Sequence, residues 1–130
     1  MFKTRFISML VLLMTAVTGA WATITVTWNN DDITGSGTSF TKDGVTITAG
    51  DIDFGDKNFS QGGTFTTTLG NFTKIEVTAT MFPEFSGTDW SGSDTKQTWT
   101  GNASSVSFSG NIMDMNGGNI NLVFTIEPTN

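Results

Sequence analysis

Few side chains in this sequence can do covalent or metal chemistry. Among 130 residues there is no His, no Cys and no Tyr. Their absence removes Ser–His and Cys–His nucleophile pairs. It also removes the His and Cys ligands that zinc, copper and non-haem iron sites usually need. Carboxylates remain. A glycosidase needs two of them facing each other across a sugar, roughly 5–9.5 Å apart. Glu76 alternates out of phase with Ile75 and Val77, which puts it on a solvent face. Glu127 ends the last strand-like run. Only Glu84 and Asp89 fall in a loop-like stretch, and nothing around them marks an acid/base pair. The chain reads as a non-enzyme, the alternative being a small hydrolase built on Glu84 and a loop aspartate.

Oxygen ligands have one candidate run. Asp51-Ile52-Asp53-Phe54-Gly55-Asp56 resembles the start of a calcium loop. Gly55 stands where the third ligand belongs and Gly62 where the bidentate glutamate belongs, so the EF-hand template fails. Alternation instead puts Ile52 and Phe54 inward and Asp51 and Asp53 in water. No cofactor is expected; structural calcium on Asp51, Asp53 and Asp56 is the weak exception. GSGTSF, residues 35–40, has two glycines of a nucleotide fingerprint without the third, and it leads into no helix. It reads as a turn.

Tryptophan supplies the remaining candidate chemistry, because it can stack on the apolar face of a sugar while its N–H reaches a polar partner. Trp28 extends the inward set Ile24 and Val26 and reads as core. Trp99 stands between Thr98 and Thr100, ahead of Val106 and Phe108, and reads as a peg within the fold. Trp90 sits in GTDWSGSD, where no local apolar neighbour shares a face with it. It is either exposed or folded back as a plug. With Phe82, Phe85 and Asp89 nearby, it is the best ligand-binding candidate in the chain.

The elements that must position these residues are strands. TITVTWN (23–29), GVTITAGDIDF (44–54), GTFTTTL (63–69), FTKIEVTAT (72–80), SSVSFSG (104–110) and INLVFTIE (120–127) all alternate with period two. Gly50 interrupts the second run as a bulge or corner. Turn-rich segments separate the runs, which predicts an all-β, antiparallel β-sandwich of seven or eight strands, immunoglobulin-like or jelly-roll-like. Two hairpins are expected. One joins 63–69 to 72–80 through Gly70-Asn71; the other joins 104–110 to 120–127 through a loop containing Asn116-Gly117-Gly118. Phe82 to Gln97 is expected to be a surface loop.

The first 22 residues stand apart. Lys3 and Arg5 precede an apolar run from Phe6 to Val17, and Ala20-Trp21-Ala22 forms a small-x-small cleavage pattern. This is the form of a signal peptide; the run is short for a membrane span, which needs about 20 apolar residues. The expected mature chain, 23–130, is a single domain with no membrane span. It keeps four lysines against twelve acids, a net charge of −8. Such a surface repels phosphate, which excludes nucleic acid bound through its backbone and disfavours anionic membranes.

The leader and the runs TFTTTLGNFTKIEVTAT, WSGSDTKQTWTGNASSVSFSG and INLVFTIEP together resemble an exported β-sandwich module of Bacteroidales, of the Prevotella-like group in particular. The distinctive positions are Gly70, Phe72, Ile75 and Val77, then Trp99, Gly101, Ala103, Val106 and Phe108. The likeness covers about residues 60 to 128 and carries no catalytic residues. It implies a protein exported to the periplasm, cell surface or medium, and it favours Trp99 as a peg. The expected role is a binding or adhesion module with a glycan as ligand class. The alternative is a structural or protein-interaction domain that meets a cell-surface protein through a sheet edge or the Met113–Met115 loop.

Overall fold

The computed structural model describes residues 22–115 and 119–129. The expected signal peptide therefore lies outside the described residues except for Ala22, as do Asn116, Gly117 and Gly118 of the expected loop.

The all-β sandwich is present. Its strands are β1 (Ile24–Asn29), β2 (Ser39–Lys42), β3 (Val45–Asp53), β4 (Asn58–Thr67), β5 (Asn71–Thr78), β6 (Trp90–Gly92), β7 (Lys96–Ala103), β8 (Ser105–Phe108) and β9 (Asn121–Glu127). They form two antiparallel sheets, a five-stranded one in the order β1-β9-β5-β7-β6 and a four-stranded one in the order β2-β3-β4-β8. The described strands number nine, not seven or eight. The excess comes from two short edge strands. β2 carries one large apolar residue, Phe40, and β6 carries one, Trp90, so neither has enough alternation to announce itself.

Both expected hairpins are sheet changes instead. β4 lies in the four-stranded sheet and β5 in the five-stranded one, so Gly70 turns a corner between layers. It does so with φ +152°, pressed against the Glu127 carbonyl and Pro128, where a side chain has no room. β8 and β9 likewise belong to different sheets. A Gly-Asn turn between two alternating runs looks the same whether the second strand pairs with the first or packs across from it. The tight hairpin is elsewhere, at Asp43-Gly44 between β2 and β3, where both residues have positive φ (+55° and +83°). The bulge at Gly50 is present as a register shift between Ala49 and Asp51.

Inward residues from both sheets fill the core. Trp28, Phe59, Phe65, Phe72 and Phe124 are completely buried, joined by Ile33, Ile47, Ile75, Ile112, Leu122 and Ile126. Each such side chain is worth about 1.5–3 kcal/mol relative to exposure. Trp28 packs edge-on against Phe40 and Phe124, at 4.9 and 4.8 Å between centroids, and its Nε1–H donates to the Lys42 carbonyl at 3.2 Å. Ile33 was not legible as core, because it stands alone in a turn-rich segment after the 3₁₀ turn Asn30–Asp32.

The outer face of the four-stranded sheet is a grid of hydroxyls. Ser39, Thr48, Thr64 and Ser107 line up across its four strands, and Thr41, Thr46, Thr66 and Ser105 form the next rank. Thr41 and Thr46 hydrogen-bond at 2.7 Å, and Thr64 and Ser107 at 3.2 Å. On the other sheet, Glu76 lies on the outer face, 3.2 Å from Lys96 and 3.5 Å from Lys74. The hydrogen bond from Lys96, helped by the charge of Lys74, holds its carboxyl below the ordinary value.

Candidate functional site

Edge strands β6 and β8 belong to different sheets and are joined along one side of the sandwich. The peptide groups of Ser86 and Ser109 exchange hydrogen bonds of 3.0 and 2.8 Å. The chain then turns through Gly87, Thr88 and Asp89 into Trp90, with the Trp90 N–H donating to the Gly87 carbonyl at 3.3 Å. Asp89 has φ +67°, a conformation that Asp tolerates better than most residues. Gly87 has φ +149°, and a Cβ there would stand 2.9 Å from Trp90 Cδ1. Glycine lets the chain pass directly beside the indole.

Trp90 is folded back. It lies directly opposite Trp99 in the β6–β7 pair, and its Nε1–H donates to the Ser107 carbonyl at 3.0 Å. Its ring meets Phe85 edge-on at 5.1 Å and lies 6.2 Å from Phe65. Phe85 in turn stacks on Phe108 at 5.4 Å and meets Phe82 at 5.2 Å. Phe82 is buried, while Phe85 and Trp90 are half-buried. The segment from Phe82 to Gln97 therefore supplies packing and a strand, and is not a free loop throughout. Its apolar neighbours come from β4 and β8, which no local window could reveal.

Trp99 is 5 % exposed, and its ring lies across Gly101, where a Cβ would stand 2.6 Å from Cζ2. It is a peg in the core. The run WTGNASSVSF crosses between layers at Ser104: Trp99 to Ala103 belong to β7 and Ser105 to Phe108 to β8.

Beside this aromatic seam is an open groove of about 370 Å³. Thr88, Asp89, Ser105, Ser107 and Ser109 line it, with Trp99 among its walls. That volume falls in the range of small-ligand sites. Of the sequence candidates, Asp89 lines the groove, Trp90 buttresses it, and Phe82 and Phe85 lie behind Trp90. The serines were missed as site residues. Their signal was the phase of SSVSFS, in which Ser105 and Ser107 alternate with inward Val106 and Phe108.

Glu84 and Asp89 are both exposed, each in a positive-φ turn. Asp51 and Asp53 lie on β3, opposite Ser60 and Asn58. Asp53 Oδ1 accepts from the Gly55 and Asp56 amides at 2.9 and 3.1 Å, so this carboxylate already serves the turn. Among the described residues, no group of three or more carboxylates gathers as a metal site. No described helix is long and apolar enough to cross a membrane. Comparison of the chain with family models, curated proteins and solved structures finds no match.

Proposed function

We infer that this is an exported, non-catalytic binding module and that its ligand is a glycan held in the groove between the turn at 87–89 and β8. The observation that carries this reading is the groove's lining: one carboxylate and four hydroxyls in about 370 Å³. Sugars are recognised by such a set, because hydroxyls and a carboxylate exchange hydrogen bonds with their O–H groups. The groove is open, which suits an extended chain of sugars better than a small enclosed metabolite. Net negative charge after residue 22 favours neutral glycans over sulfated or uronic ones.

The test is a glycan array probed with the purified protein and with Asp89→Asn. Asparagine keeps the positive-φ turn, so this variant removes charge without removing the fold. Binding of a neutral glycan that weakens by roughly tenfold or more in the variant supports the site, that being the scale of one lost charged hydrogen bond. A folded wild type that binds nothing, or a variant that binds equally well, overturns it.

A further inference from the structure

We propose that Met81, Met113 and Met115 form a surface site for a soft monovalent cation, copper(I) in particular. Six methionines occur in the sequence; three lie within the first 14 residues, and these are the other three. Although 32 positions separate Met81 from Met113 in sequence, they are directly opposed in an antiparallel bridge. Met81 N–H donates to the Met113 carbonyl, and Met113 N–H to the Met81 carbonyl, both at 3.0 Å. Such a pair places the two Cα atoms about 5.5 Å apart with their side chains on one face.

Which face is fixed by the neighbours. Ile112 and Asp114 are buried, at 0 % and 1 % exposure. Met113 stands between these two buried residues and, opposed to Met81, shares its face; Met115 follows two residues on. Met81 and Met115 are both 39 % exposed, and among the described residues they are the exposed large apolar side chains. Methionine in a core fills gaps; here Met81 and Met115 are exposed and Met113 is half-buried.

The backbone beneath Met81 and Met113 is pinned. Ile112 and Phe59 exchange hydrogen bonds of 2.8 Å in each direction. The Asp114 N–H donates to Asn58 Oδ1 at 2.8 Å, and Asp114 Oδ1 accepts from Thr80 Oγ1 at 3.1 Å. Residues 112–114 thereby tie the start of β4 to the chain just after β5. The thioethers are presented from a braced segment, as a binding site requires.

The donor set decides the ion. A neutral thioether is soft and has little affinity for calcium, magnesium or zinc, and it suits copper(I). The chain contains no Cys or His to compete for such an ion. Thioether sulfur carries no proton at any relevant pH, so the site needs no deprotonation before binding. Affinity should then hold from pH 7 down to about pH 5, where imidazole sites lose metal.

The test uses silver(I) as a redox-inert probe, followed by copper(I) in competition with a chromophoric chelator. The purified protein carries methyl-labelled methionine. One equivalent of silver(I) should shift the Met81, Met113 and Met115 methyl signals together, while zinc and calcium shift none. Each single Met→Leu variant preserves volume and the fold. Each should weaken binding by roughly tenfold or more, at least the loss caused by removing an outer-shell partner. The triple variant should not bind. Absence of methyl shifts at millimolar silver(I), a triple variant that still binds, or affinity that falls at pH 5 overturns the proposal.

Discussion

The indole N–H of Trp90 donates to the Ser107 carbonyl at 3.0 Å, and the bond ties the edge of one sheet to the edge of the other. The two residues are seventeen positions apart and lie in strands that share no ladder. Trp90→Phe keeps the aromatic contacts with Phe85 and Phe65 and loses this bond, so it should cost about 1 kcal/mol. Trp90→Ala also empties the seam and should cost about 2–4 kcal/mol, somewhat less than the roughly 3–5 kcal/mol of a fully buried large aromatic because the ring is half-buried. Urea unfolding of the three proteins gives the comparison. Equal midpoints for Trp90→Ala and wild type would mean that the ring contributes nothing to the seam.

The pairing of Trp99 with Gly101 makes a sharper prediction. A methyl group on Gly101 would stand 2.6 Å from the indole, inside contact distance. Gly101→Ala should therefore displace the ring and cost about 1–3 kcal/mol, the usual penalty for overpacking. Thermal unfolding and the tryptophan emission maximum read both effects. Gly37→Ala gives the contrasting case of backbone strain without a clash, since a Cβ there meets nothing within 4 Å but φ is +97°. A Gly101→Ala protein with unchanged melting and emission would remove Trp99 from its role as a peg.

Period-two alternation made the inward residues legible: Val26 and Trp28, Val45 and Ile47, Ile75 and Val77, Val106 and Phe108, Leu122, Phe124 and Ile126 are all buried. Alternation says which face a residue takes, but it is silent about which sheet the strand joins. Gly70 therefore looked like a hairpin turn and proved to be a corner. Trp90 was legible as either exposed or folded back; what chose between them is Phe65 and Ser107, both distant in sequence. Asp89 was legible as a groove residue through its loop position. The serines of β8 were not, since a serine that lines a groove and a serine on a wet strand have the same phase. Asp114 left no trace at all: a buried aspartate in a glycine- and asparagine-rich stretch looks like any turn residue.

Glu76 predicts a modest dependence on acid. Its folded carboxyl titrates below the ordinary value of 4.5, chiefly through the hydrogen bond from Lys96. A depressed value means the unfolded chain binds the proton more readily, so the stabilisation is full above the unfolded value. It disappears as pH falls through the folded value. Both lysines are about half exposed, so the network is worth no more than about 1 kcal/mol. Glu76→Gln should lower stability slightly at pH 7 and low salt. It should converge on wild type as pH falls through the folded value of Glu76, and also in about 1 M salt, where screening is nearly complete. A difference that persists in strong acid would point to packing in place of charge.

Asp53 predicts how the protein responds to calcium. Its Oδ1 accepts two backbone N–H groups, from Gly55 and Asp56, and so closes the turn between β3 and β4. The turn also holds Lys57 at φ +57°, with its Nζ donating to the Phe54 carbonyl at 2.7 Å. An asparagine oxygen can accept the same two amides, but asparagine is a much poorer calcium ligand than a carboxylate. The two roles therefore separate by substitution. If the carboxylate serves the turn, Asp53→Asn should melt within a degree or two of wild type, while Asp53→Ala should lose about 1 kcal/mol. Millimolar calcium and excess chelator should then leave all three melting temperatures unchanged. If calcium raises the wild-type melting temperature and Asp53→Asn abolishes the rise, the aspartates form a cation site and the turn is secondary to it.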